Sequence, residues 1–152
     1  MLFKKPSSVE RLLTEENKQK ILAAIQAAEK TTSGEVRVHI ERRVKKESAL
    51  DRAVEVFYKL GMETTKLRNG VLVYVALEDR QFAILGDQGI HEKVGDNFWD
   101  TEKDRMAAYF QQGDIIGGIV YFIEQIGEKL KTYFPYQEGD INELSDDISV
   151  EA

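Results

Sequence analysis

The chain has 152 residues, 42% of them hydrophobic, enough for one domain with a real core and too few for two ordinary ones. It has no cysteine, which excludes a disulfide framework, thiolate metal sites and a cysteine nucleophile together. The formal net charge is −6, but six of the 27 acids fall after Tyr136 with no Lys or Arg among them, so the body balances at 21 acids against 21 bases. A balanced body lacks the basic patch that a nucleic-acid surface needs. Met1-Leu2-Phe3-Lys4-Lys5-Pro6 carries no apolar stretch of secretory type, and no apolar run nears the ~20 residues that span a bilayer. No membrane anchor is expected in this chain, and the cytoplasm is the expected compartment.

Thr14 is placed to cap a first helix, with Ile21, Leu22, Ile25 and Ala28 on one face, and Thr31-Thr32-Ser33-Gly34 turns the chain. The period then becomes two. Val36, Val38 and Ile40 alternate with Glu35, Arg37, His39 and Glu41, which predicts a strand with one buried face, near a sheet edge. After a charged connection (42–48), Leu50, Ala53, Val54, Phe57 and Leu60 predict a second amphipathic helix closed by Gly61. Asn69-Gly70 leads into Val71–Leu77, apolar on both faces as in a central strand. Only Glu78-Asp79-Arg80 separates it from the apolar run 81–86, so the two predict an antiparallel hairpin. Residues 87–96 read as a polar, glycine-containing loop. Phe98, Trp99, Met106, Tyr109 and Phe110 then mark a third helix, and Asp114 caps a fourth that Pro135 ends. The order gives a layered α/β domain over 8–136, with 137–152 a solvated acidic tail that Leu144, Ile148 and Val150 could pin to the body.

Topology brings the polar turns together. A crossover of the first strand, second helix and second strand makes those strands parallel, and the hairpin returns the third strand to their common starting end. Glu35, Asn69 and Asp87 therefore meet at one rim, with the start of the third helix near Asp100 above them. Carboxylates, an amide oxygen and backbone carbonyls suit Ca²⁺, with Mg²⁺ second, rather than Zn²⁺. The plainer alternative is ordinary turn residues beside glycines. A zinc site would need His39 and His91 to meet, and both are expected to be exposed. The sequence has no P-loop and no Gly-x-Ser-x-Gly elbow; Tyr109, Phe110, Tyr121 and Phe122 read as core.

At Thr32–Val38, at Asn69–Ala76 with Arg80 after it, and at Gly86-Asp87-Gln88-Gly89-Ile90-His91, the chain resembles the TPM domain family. Phe134-Pro135 with Asn142-Glu143-Leu144 resembles its small free-standing bacterial branch. The resemblance implies a three-layer α/β/α, Rossmann-like fold with a small mixed sheet, and a divalent-cation site, of calcium type, in the loops at one sheet end. Asn69, Asp87 and Asp100 match polar or acidic positions of the family pattern, and Glu35 matches the free-standing branch. The expected function is a cation-binding interaction module with a protein partner at the rim. The alternative is a metal-assisted acid phosphatase, an activity described for plant members. For that role Arg37, Arg68 and Arg80 are the nearby cations, Arg80 at the opposite end of the sheet.

Overall fold

The computed structural model describes residues 5–137 and 148–151. Six helices and four strands follow one another: α1 Ser8–Leu12, α2 Glu15–Glu29, β1 Glu35–Glu41, α3 Ala49–Lys59, a 3₁₀ turn Met62–Thr64, β2 Gly70–Ala76, β3 Gln81–Gly86, α4 Gln88–Val94, α5 Asp96–Gln111, α6 Ile115–Tyr133 and β4 Ile148–Glu151. Side-chain caps set four of the helix starts where the sequence offers Ser, Thr or Asp. Ser7, Thr14, Ser48 and Asp114 each accept a hydrogen bond from the backbone N–H three residues on. Helix α1 was not anticipated; a five-residue segment is too short for helical periodicity to register.

The sheet order is β3-β2-β1-β4, with β1 parallel to both β2 and β4 and the hairpin β2–β3 antiparallel. Val36, Val38, Ile40, Val71, Val73 and Val75 face a large core filled by α2, α4, α5 and α6. On α6, Ile119, Phe122, Ile123, Ile126 and Leu130 are fully buried, each worth about 1.5–3 kcal/mol relative to exposure, so this helix is the main anchor of that layer. Leu72, Tyr74 and Ala76 face a smaller core under α3, built from Ala53, Val56, Phe57 and Met62. The expected three-layer α/β/α arrangement with a mixed sheet is the one observed.

Four expectations need correction. The first strand lies one in from the edge, but it is not buried on one face only: β4 covers its outer side, and all seven residues of β1 are buried. Its polar face is not solvated: α3, which packs over β2 and β3, reaches it with Arg52 as a counter-charge to Glu41. Residues 88–94 are helix α4 rather than loop, because Asp87 turns from the end of β3 and caps that helix through the N–H of Gln88. Residues 148–151 are not a solvated terminus but the strand β4; 138–147, including Leu144, lie outside the described residues. On α3 the buried stripe is Ala49, Arg52, Ala53, Val56 and Phe57, while Leu50 and Val54 are exposed. Among the described residues, no helix is long and apolar enough to cross a membrane.

Candidate cation-binding rim

The register of the sheet puts three of the four predicted residues at one end. Glu35 pairs with Gly70, and its N–H donates to the carbonyl of Asn69 at 3.4 Å. The N–H of Asp87 donates to the carbonyl of Gly70 at 2.9 Å, extending the β2–β3 ladder by one residue. By the pleat, Glu35, Gly70 and Asp87 fall on the same face of the sheet, and the middle residue has no side chain. All three predicted residues are buried: Glu35 to 2%, Asn69 to 1% and Asp87 to 7% relative exposure. Asp100 is not part of this group. It lies exposed on α5 and lines a separate cavity of about 360 Å³ with Gly86, His91 and Trp99, beside the edge strand β3.

Local chemistry holds the rim together. Arg68 adopts a left-handed backbone (φ 51°), a conformation that costs a non-glycine residue roughly 1–3 kcal/mol. From there its carbonyl accepts from the N–H of Gly89 at 2.8 Å, and its guanidinium grips Asp87 with two bonds of 2.7 and 2.9 Å. A Cβ on Gly89 would lie 2.1 Å from the carbonyl oxygen of Leu67, so only glycine lets α4 dock this closely. A Cβ on Gly86 would strike the Trp99 ring at 2.4 Å, which fixes α5 against the same rim. Trp99 also stacks on His91, which is exposed and lies 3.3 Å from Asp96.

The rim carries more acid than the sequence reading assigned to it. Glu29, at the end of α2, accepts from the N–H of Val36 at 2.7 Å. Glu63 sits on the 3₁₀ turn that packs against Gly70. Helix and turn positions of this kind read as solvated in sequence, and only the packing brings them here. At this end of the sheet, Oδ1 of Asn69 and Oε2 of Glu63 are buried with no hydrogen-bond partner among the described residues. Asn69 is otherwise tied down, its Nδ2 donating to Oγ of Ser33 at 3.3 Å and its N–H to Oγ1 of Thr65 at 3.3 Å. An unpaired buried acceptor costs about 1–3 kcal/mol, so this amide oxygen is stabilised by any donor or cation that reaches it.

The opposite end of β1 holds a second polar cluster, which the sequence reading missed. Ligand atoms of His39, Glu41 and Glu151 lie within 4.8 Å of one another, the only such group of three among the described residues. His39, expected to be exposed, is 97% buried, with Nδ1 2.7 Å from Oγ of Ser149 and Nε2 3.2 Å from Glu41. Glu41 also accepts from Arg52 through Nε and Nη2 and from the Tyr74 hydroxyl. Burial alone would raise the Glu41 carboxyl, but its bonds to Arg52, Tyr74 and His39 outweigh that and hold it below the usual range. Burial lowers His39 and raises Tyr74. Glu151 is pulled down to about 2 by bonds from Lys45 and Lys59, with Arg52 adding its charge. These carboxylates are already neutralised by three cations, so the cluster is a poor site for a fourth. One signal was present: Arg52 interrupts the apolar stripe of α3, and a buried guanidinium requires a carboxylate facing it.

A mixed-sheet, three-layer α/β domain with an acidic, partly unsatisfied rim is thus the class of protein defined here. The TPM domain family matches residues 8–129, and the chain belongs to that family. Among solved structures, the chain is similar to the BA42 protein from the psychrophilic bacterium Bizionia argentinensis. The two are 46% identical with a TM-score of 0.86, over 96% of this chain and 100% of that one. It shares its fold with the N-terminal domain of the cg2496 protein from Corynebacterium glutamicum (16% identity, TM-score 0.63, 93% of each chain). A third, the N-terminal domain of a protein from P. gingivalis, matches at 18% identity and TM-score 0.66 over 84% of this chain and 83% of that one. No curated protein matches the chain.

Proposed function

We propose that this protein is a divalent-cation-responsive binding module whose cation, calcium by preference, sits at the rim built by Glu35, Asn69 and Asp87. The observation that carries this reading is the buried, unpartnered Oδ1 of Asn69, at the sheet end where Glu35 and Asp87 are buried too. Every donor there is a hard oxygen, and the geometry is irregular, which Ca²⁺ tolerates better than Mg²⁺. Arg68 now neutralises Asp87 and stands where a cation would. Its guanidinium is 43% exposed, so it can leave into water when the ion arrives. Release of Arg68 would loosen its hold on the cap of α4 and present a free cation to a protein partner at the rim.

Amide chemical-shift titration with Ca²⁺ and Mg²⁺ tests this. Progressive shifts centred on residues 35, 69 and 87 are expected, with Ca²⁺ affinity reduced at least about tenfold in Asn69→Ala, the loss of one well-placed ligand. Shifts centred on His39, Glu41 and Glu151, or an unchanged affinity in the variant, would remove the rim site.

Arg68 also supports a second reading, metal-assisted phosphomonoester hydrolysis, because it places a guanidinium beside the proposed ion where a phosphoryl oxygen could be held. Hydrolysis of a generic phosphomonoester that needs Ca²⁺ or Mg²⁺ and falls at least about 100-fold in both Asp87→Ala and Arg68→Ala would favour it. Turnover unaffected by either substitution would discard it.

A further inference from the structure

The end of the sheet opposite the rim holds a cavity of about 630 Å³, between the β2–β3 hairpin and the turn joining α5 to α6. Its walls are Val75, Leu77, Phe82, Phe110 and Ile115, with Phe82 and Phe110 packed edge to face at 4.8 Å. That volume lies within the ~300–1,000 Å³ typical of small-molecule sites, and a mainly apolar lining with few polar groups is typical of them too. Among the described residues, no carboxylate lines it.

Arg80 stands at its edge. This residue occupies a left-handed position in the hairpin turn (φ 52°) and is exposed; its N–H donates to the carbonyl of Leu77, and its guanidinium makes no hydrogen bond or ion pair among the described residues. The two acids beside it are engaged elsewhere. Glu78 pairs with Arg42 and Arg43 and accepts from Ser8, while Asp79 accepts from the N–H of Val44. An apolar chamber gives water few partners, and an uncompensated guanidinium at its mouth attracts a negative head group.

We propose that this cavity binds a small amphipathic anion, with an apolar body packed against the Phe82–Phe110 ring pair and a carboxylate-type head on Arg80. The site is independent of the rim: the two lie at opposite ends of β2, roughly 20 Å apart at about 3.3 Å per strand residue.

The test is an amide chemical-shift titration of the full chain in EDTA with octanoate, octan-1-ol and octylammonium. Octanoate should perturb Leu77, Arg80, Phe82 and Gly113 and bind at least about fivefold more tightly than the other two, the scale of one exposed charge pair. Arg80→Gln, at an exposed turn, should reduce octanoate to the level of octanol and leave octanol unchanged, and Arg80→Lys should restore part of the difference. Ala107→Phe, which fills the chamber, should weaken all three. Equal binding of the three probes, an Arg80→Gln variant that keeps the octanoate preference, or shifts confined to other surfaces would overturn the proposal. Because no divalent ion is present, neither result bears on the rim.

Discussion

Glu41 is fully buried, and its two oxygens serve Arg52, Tyr74 and His39 together. Removing one partner leaves a charge in a place water cannot reach. Arg52→Leu is therefore expected to destabilise the fold by about 3–5 kcal/mol, far beyond what an exposed ion pair contributes. Tyr74→Phe, which deletes one hydrogen bond to a charged acceptor, should cost about 1.5–3 kcal/mol. Denaturant unfolding of the two variants checks both values and their order. At this scale the sequence was only partly legible. Glu35, Asn69 and Asp87 could be placed because glycine turns and strand register locate them. His39 and Glu41 could not, because the same alternation of polar and apolar residues describes a solvated face and a buried ionic one. The deciding partners, Arg52 on α3 and Ser149 on β4, lie 11 and 110 residues away.

Among the elements, β4 is held by its ladder to β1, by Ile148 against the core and by charge. It contributes four residues, half-buried or exposed, and its last one receives Lys45, Arg52 and Lys59. Two ionisable groups tie it to pH. Glu151 is depressed to about 2, so its contribution is complete above the ordinary value of 4.5 and is lost as the pH falls from there toward 2. His39, lowered from 6.5 by burial among Glu41, Glu151, Arg52, Tyr74 and Ser149, adds a loss that starts as the pH drops below 6.5. The amides of 148–151 should accordingly lose exchange protection on acidification while β2 keeps its own. Uniform protection across the sheet between pH 7 and 3 would show that β4 is held by something other than these charges. Most of the other elements were readable, since α2, α3, β2, β3, α5 and α6 carry clear periods and caps. Helix α4 was hidden by its glycine and polar composition, and β4 by the acidic residues around it, which describe a solvated tail equally well.

For the whole molecule, the hairpin and the crossover were enough to fix the layers and the rim. The order of the sheet was not fully accessible, because a sequence gives no local mark of which distant segment pairs with an outer strand. A chain ending at residue 147 tests what that pairing is worth. It should retain the hairpin and the α2–α6 layer but melt at a lower temperature, and it should self-associate through the uncovered backbone of β1. A truncated chain that stays monomeric and melts unchanged would show that β4 is dispensable. The pairing also fixes an order of events in the cell. Val38 and its neighbours leave the ribosome long before Ile148, their partner in the finished sheet, has been translated. Until that segment is made, the nascent protein presents the outer backbone edge of β1, open to pairing with a neighbouring copy.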